Sequence, residues 1–175
     1  NAAGWITRSI PPSPTPGNHA YSSQALNTHW RPQFTLPSNG LPSLPETNYY
    51  LDIQGVRVVS LNSNVQQAEQ GKWLDQLLSN NPNSWTILTF HHPILSTAKG
   101  RDNVELRAMW PPIIDKHKVD MVLTGHDHTY GRSTLQPGPS TKQGRPRYVV
   151  SVPRPTLSNP QTAPPRPRPP RAPRR

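Results

Sequence analysis

Residues 119–130 read VDMVLTGHDHTY: the apolar run Val119–Leu123 is closely followed by a glycine and then by two histidines, His126 and His128. The apolar run predicts a buried strand, and Gly125 lets the backbone turn sharply after it because glycine has no Cβ. In extended backbone, side chains two positions apart point the same way, so His126 and His128 can face one small object while Asp127 turns aside. Ligands of open α/β sheets sit at the carboxyl ends of strands. Two imidazoles there indicate a transition-metal site.

Two other segments also place histidines at predicted element boundaries. Residues 86–90 predict a second strand, which is followed by His91 and His92, and residues 16–19 read PGNH on a loop. Each motif has a simpler interpretation when taken alone, since Gly-Asn is a common turn pair and one of two adjacent histidines can simply cap a strand. Their order and their positions together favour one shared site. His117, between two lysines, is instead interpreted as part of a solvated cationic face.

The pattern between the two histidine-bearing strands predicts how they lie relative to each other. Trp85–Phe90 is a predicted strand, Asn103–Lys118 has helical spacing, and Val119–Leu123 is the next strand. A strand, a helix and a strand in succession form a βαβ unit with parallel strands and a right-handed crossover. The carboxyl ends of both strands then lie on one side, which predicts that His91 is close to His126.

The remaining elements follow from composition and spacing. Pro111 and Pro112 are expected to kink the helix or to split it in two. Trp73 and Trp110 are expected in the core. The other predictions are strands at 48–53 and 56–61 in a hairpin around Gln54-Gly55, a helix at 66–78, a strand at 147–152, and mostly loop with one short helix at 1–47.

Three motifs resemble those of calcineurin-like metallophosphoesterases, in wording closest to purple acid phosphatases and their bacterial relatives. They are Gly17-Asn18-His19, Phe90-His91-His92-Pro93 and Gly125-His126-Asp127-His128, the last followed by Arg132. The resemblance runs from about Trp5 to Val152. It implies a partial metallophosphoesterase α/β sandwich, with mixed sheets flanked by helices, and the hydrolysis of phosphate monoesters in the manner of an acid phosphatase.

The resemblance also implies roles for individual residues. Asn18, His91 and His126 would bind one metal and His128 the other, while His19 would hydrogen-bond the phosphate or protonate the leaving alkoxide. His92 has no firm counterpart among the ligands and is interpreted as structural or as a support behind them. The metals are zinc, iron or manganese, and a complete family member holds two.

Arg101 is a candidate for holding the substrate phosphate. It follows the His-His-Pro motif on a long loop beside Lys99 and Gly100, and a guanidinium there suits a phosphate. A solvated loop charge is an equal alternative. Arg132, after the double-histidine loop, is a similar but weaker candidate.

The chain lacks the two motifs that come earlier in the family's sequences, one of which holds the aspartate that bridges both metals. No Asp or Glu precedes Gly17 in this sequence. We therefore expect residues 1–152 to be the C-terminal portion of a metallophosphoesterase-like domain. We expect it to hold at most one metal, so that hydrolysis is impaired unless a missing N-terminal half is supplied. The sequence therefore leaves open whether this chain is an enzyme.

The composition is uneven along the 175 residues. Residues 153–175 hold nine of the 24 prolines and six arginines with no acidic residue, which accounts for most of the net charge of +10. Such a segment predicts a disordered, polyproline-II-like tail. Such a tail can bind nucleic acid through the phosphates, or it can bind the aromatic groove of a partner domain. The third alternative, which we favour, is that the tail has no function and comes from an out-of-frame C-terminus.

The alternative function is therefore a non-catalytic interaction protein that uses this tail. Apart from the tail, nothing predicts a nucleic-acid partner, and no apolar run approaches membrane-spanning length, so no membrane partner is expected. With no cysteine, disulfides give no information on the compartment. Secretion is implied only by the family resemblance.

Overall fold

The computed structural model describes residues 9–134 and 146–151. Its main feature is a six-stranded mixed sheet in the order β3-β4-β5-β6-β8-β7, beside a two-stranded ribbon of β1 and β2. The sheet positions the candidate site, because both histidine-bearing loops follow its central strands. The strands are β1 (Tyr21–Ser22), β2 (Ala25–Leu26), β3 (Tyr49–Ile53), β4 (Val56–Ser60), β5 (Trp85–Phe90), β6 (Met121–Thr124), β7 (Tyr130–Thr134) and β8 (Arg147–Ser151). The helices are a 3₁₀ turn (Asn18–Ala20), α1 (Trp30–Gln33), α2 (Gln67–Ser79), α3 (Val104–Met109) and α4 (Pro111–Lys116).

The predicted hairpin is confirmed as the antiparallel pair β3–β4, in which Ile53 faces Val56. The turn residues Gln54 and Gly55 have φ angles of 50° and 80°. Two central residues with positive φ match the right-handed twist of the flanking strands, which is why such turns connect hairpins. This hairpin forms one edge of the sheet.

The predicted βαβ arrangement is confirmed by parallel pairing of β5 with β6, in which Phe90 lies opposite Thr124. The intervening helix is split at Trp110, and Pro111 begins the second helix. Proline is tolerated at the first helical position because the missing N–H has no partner there in any case. The pairs β4–β5 and β6–β8 are parallel as well, so the carboxyl ends of four strands lie at one edge.

The core lies between the sheet and helices α2 to α4. Trp110 is fully buried, packs edge-on against Phe90 at 4.8 Å between ring centroids, and donates its Nε1–H to the Gln67 carbonyl oxygen at 3.0 Å. Trp73 is partly buried against the same cluster, so both tryptophans are packing residues as expected. The buried aliphatic members include Val59, Leu61, Leu74, Leu88, Ile114, Val119 and Val122.

The structure differs from the sequence-based expectations in several places, and one is the β1–β2 ribbon, which lies within residues predicted as mostly loop with one short helix. Strand β7 was not predicted, and it pairs antiparallel with β8. The interpretation of His117 as a solvated residue is wrong, since its side chain is only 11% exposed and its Nε2 lies 2.6 Å from Asp75 Oδ1. Lys116 binds the same carboxylate at 2.7 Å while its side chain stays 59% exposed, so Asp75 on α2 pairs with one largely buried and one exposed basic group.

The observed architecture is the mixed α/β arrangement expected of a partial metallophosphoesterase fold. No helix in the described ranges is long and apolar enough to cross a membrane. The tail at 153–175, and with it the proposed division at residue 152, lies outside the described residues.

Candidate metal centre

The candidate site lies at the carboxyl ends of β5 and β6. His91 directly follows β5, and the loop after β6 starts with Gly125, whose N–H donates to the His91 carbonyl oxygen at 3.0 Å. This bond extends the strand pairing by one step and places the two loops side by side. The left-handed backbone falls on His126, with φ of 65°, and not on Gly125 as the sequence suggested. The argument from extended alternation of His126 and His128 is therefore wrong, because this segment bends.

Three of the predicted ligands meet in space. The Nε2 atom of His91 lies 2.7 Å from Asn18 Oδ1 and 3.1 Å from His126 Nδ1. Two donors bound to one ion at about 2.0–2.1 Å lie roughly 3 Å apart, so these separations suit donors that share a cation. Imidazole nitrogens with an amide oxygen are a donor set for zinc, iron or manganese. The residues present therefore fit a transition metal.

His92 lies in the same cluster. Ring nitrogens of His91, His92 and His126 lie within 4.8 Å of one another, and the rings of His92 and His126 are 4.7 Å apart between centroids. This is the one such group of His, Cys, Asp and Glu found in the described part of the chain, and it contains no carboxylate. Position alone would make His92 a third imidazole ligand.

Gly17 makes room for His91. Its backbone is extended, with φ of −94° and ψ of 177°, a conformation open to any residue. A Cβ at this position would lie 2.8 Å from His91 Nδ1 and 2.9 Å from Cε1. A glycine is needed here for space rather than for backbone freedom. Sequence reasoning treated Gly17 only as part of a motif and missed this role.

The cluster is kept neutral by its surroundings. Burial lowers the pKa of His91 to about 3, with further lowering by the neighbouring imidazoles of His92, His126 and His19. Burial, followed by the charge of His126, lowers the pKa of His92 to about 4. The pKa of His126 is also lowered, by burial first and then by the nearby charge of Arg101. Neutral imidazole is the form that binds metals.

Arg101 lies beside the cluster. Its Nη1 donates to the carbonyl oxygen of His126 at 3.0 Å, while the residue as a whole is exposed. One hydrogen bond thus fixes the guanidinium next to a predicted ligand and leaves its other N–H groups on the solvent side.

Asp127 holds the two histidine loops together. It is fully buried, and its Oδ2 accepts hydrogen bonds from the Ser96 hydroxyl at 2.8 Å and from the Thr97 N–H at 2.9 Å. The carboxylate is not among the grouped donor atoms, although its charge partly offsets the lowering of the pKa of His92 and His126. Thr97 also bonds Thr129 through their hydroxyls. These contacts link the loop after β5 to the loop after β6.

The remaining predicted site residues lie at the margin of the cluster. His19 is exposed on the 3₁₀ turn next to Asn18, close enough for its charge to lower the pKa of His91. His128 is half-buried, and its charge lowers the pKa of His126, but it is not in the group of three. The structure thus brings Asn18, His91 and His126 together and leaves His128 apart.

A cleft of about 310 Å³ opens beside the cluster. Its lining is polar, and two of its members, Asn18 and His92, belong to the site itself. Ser63, Asn64 and Asn103 also line it. Ser63 was a further residue that sequence reasoning did not assign to the site.

The sequence of the chain is similar to those of known proteins. A family model for calcineurin-like phosphoesterases matches residues 6–130. An uncharacterized protein of Mycobacterium tuberculosis is 31% identical over 138 residues, which cover 67% of this chain and 25% of that protein. Purple acid phosphatase 21 of Arabidopsis thaliana is 27% identical over 131 residues, which cover 67% of this chain and 30% of that protein.

A solved structure shows the same fold. The purple acid phosphatase isolated from yellow lupin (Lupinus luteus) seeds has a TM-score of 0.51 and 19% identity, and the match covers 59% of this chain and 22% of that one. The chain spans only a quarter to a third of the length of the curated relatives cited above. Because the family model covers more than half of the sequence, and the fold agrees with it, this chain belongs to the calcineurin-like phosphoesterase family.

Proposed function

We propose that this chain carries one half of a metallophosphoesterase centre, in which Asn18, His91 and His126 bind a single zinc, iron or manganese ion. The observation that supports this most directly is the convergence of three donors, with His91 Nε2 within 2.7 Å of Asn18 Oδ1 and 3.1 Å of His126 Nδ1. The substrate class is a phosphate monoester, in line with the purple acid phosphatases among its relatives.

The residues around the cluster have complementary roles in this proposal. A bound metal in such a site lowers the pKa of a water and offsets the negative charge of the phosphoryl group. Arg101, held by the His126 carbonyl oxygen, binds a phosphoryl oxygen through its remaining N–H groups. His19 hydrogen-bonds the phosphate or protonates the leaving alkoxide. His128 serves the second metal in a complete site.

We expect hydrolysis by this chain alone to be impaired. The donor set of one amide and two imidazoles is neutral, and among the described residues no carboxylate oxygen belongs to the group of donor atoms around His91 and His126. Neutral ligands leave the charge of a divalent ion uncompensated, so a second cation close by would be repelled. One metal at most, bound weakly, is the expected outcome.

Metal titration with a phosphatase assay tests the proposal. Calorimetric titration of zinc and of manganese into the chain is expected to show one ion per chain, and p-nitrophenyl phosphate turnover is expected to stay near background. His91→Ala should abolish binding, whereas His29→Ala, at an exposed histidine, should leave it unchanged. Absence of metal binding would refute the centre, and rapid turnover would refute the impairment.

The alternative of an interaction protein rests on composition alone. Residues 153–175 carry six arginines without an acid, and deletion of this segment tests it. If the alternative holds, the full chain binds RNA in a salt-dependent manner and the deleted chain does not.

A further inference from the structure

The side chain of Ser63 makes two contacts with a single residue of the cluster. The backbone N–H of His92 donates to Ser63 Oγ at 3.0 Å, and the Nδ1 atom of the same histidine lies 2.9 Å from that oxygen. Ser63 is only 1% exposed, so water has almost no access to its hydroxyl group. Ser63 follows β4, and His92 follows β5, so the pair bridges two parallel strands at the site edge.

The hydrogen positions follow from counting donors and acceptors. A serine hydroxyl has one hydrogen and two lone pairs, and here one lone pair is taken by the His92 backbone N–H. Among the described residues, the only other hydrogen-bond partner of Ser63 Oγ is His92 Nδ1. The hydroxyl hydrogen is satisfied only if it is donated to Nδ1, which assigns to His92 the tautomer with a bare Nδ1. A neutral imidazole with a bare Nδ1 carries its hydrogen on Nε2.

A hydrogen on Nε2 changes what His92 can do. A metal ligand needs a free lone pair, and Nδ1 already uses its lone pair on Ser63, while Nε2 has none available. The ring nevertheless packs 4.7 Å from that of His126 and lines the 310 Å³ cleft beside the cluster. Its Nε2–H is thus a hydrogen-bond donor next to the candidate metal centre.

We propose that His92 is not a metal ligand but donates its Nε2–H to a phosphoryl oxygen bound in this cleft, with Ser63 as the positioning residue that sets the tautomer. The proposal rests on the proposed phosphoesterase function for the identity of the oxyanion. The cleft supports it, since Asn64 and Asn103 add polar groups to the lining and no carboxylate there would repel an anion.

Nuclear magnetic resonance of the ¹⁵N-labelled, metal-free chain tests the tautomer directly. Long-range ¹H–¹⁵N spectra show which ring nitrogen carries hydrogen, and we expect Nε2–H for His92. Ser63→Ala should release this preference, and Ser63→Thr, which keeps the hydroxyl, should restore it. A purely structural role for Ser63 would leave the tautomer unchanged in all three proteins. Nδ1–H in the native chain would overturn the proposal.

Two matched variants test the function of the donor. The side-chain amide of glutamine reaches the position of Nε2, whereas that of asparagine reaches only that of Nδ1. We expect His92→Gln to keep affinity for inorganic phosphate within about threefold and His92→Asn to lose about tenfold, as for one hydrogen bond to a charged group. Zinc affinity should stay within about twofold in both, and His29→Gln at an exposed position is the control.

The outcomes separate the two proposals. Loss of zinc affinity by tenfold or more in both variants would make His92 a ligand and overturn the inference, while leaving the metal centre intact. Equal phosphate affinity in both variants would also overturn it. If the native chain binds no zinc, the proposed function fails, whereas the tautomer spectra and a phosphate titration of the metal-free chain still decide the role of His92.

Discussion

The substitution Gly17→Ala should disable the metal centre without removing any ligand. The added methyl group would lie 2.8 Å from His91 Nδ1. Ordinary contact begins at 3.4 Å, so the ring must retreat by roughly 0.6 Å, a shift that also displaces Nε2 from its position beside Asn18 and His126. Metal–ligand distances tolerate changes of only about 0.2 Å. Movement of the Gly17 backbone would not help, because the next residue is a ligand as well.

The size of the effect follows from this displacement. Loss of correct ligand orientation costs about 10–100-fold in metal affinity, equivalent to about 1.4–2.7 kcal/mol. Calorimetric titration with zinc measures it. Gly71→Ala is the matched control, since it makes the same chemical change inside α2, where the new Cβ meets Ile113 Cδ1 at 3.4 Å. That variant should bind zinc within about twofold of the native chain.

One result would refute this reasoning. If Gly17→Ala binds zinc as tightly as the native chain while His91→Ala does not, then His91 tolerates the displacement and its position is not set by Gly17. A loss of affinity in Gly71→Ala of similar size would show that the effect comes from general instability instead. Circular dichroism of each variant establishes that the fold is retained.

Three further predictions concern stability, each measured by urea unfolding. Asp127→Ala should lower the free energy of unfolding by about 2–3 kcal/mol, because the partly buried Ser96 hydroxyl and Thr97 N–H lose their acceptor, and Asp127→Asn should lower it less. No loss in the alanine variant would contradict the bridging role. Burial lowers the pKa of His91 to about 3 and that of His92 to about 4, so the unfolded chain takes up protons first as the pH falls. With a chelator present, stability should be constant above about pH 6.5 and decrease from there towards pH 4 and 3, and a flat profile would count against this. Trp110→Phe should lower the free energy of unfolding by about 1–3 kcal/mol, because it leaves a cavity and an unpaired Gln67 carbonyl oxygen. Trp85→Phe, at a 59% exposed residue, should change that free energy by no more than about 0.5 kcal/mol. Equal effects of the two substitutions would be inconsistent with the described core.

Local patterns were sufficient for most of the fold. The hairpin at Gln54-Gly55, the parallel strands on either side of a split helix, and the helix at Gln67–Ser79 all follow from turn residues, proline chemistry and apolar spacing. These signals act over a few residues, so the sequence shows them directly. Strand β7 escaped prediction because Tyr130–Thr134 has little apolar alternation of its own and pairs only with a segment later in the chain.

The site was predictable as a set of motifs but not as an arrangement. The sequence predicts that imidazoles follow two parallel strands, because strand direction and connection are set by neighbouring elements. The contact of Asn18 with His91 across 73 positions, and that of Ser63 with His92, became visible only in the folded structure. Such contacts depend on how distant segments pack. No pattern within one segment carries that information.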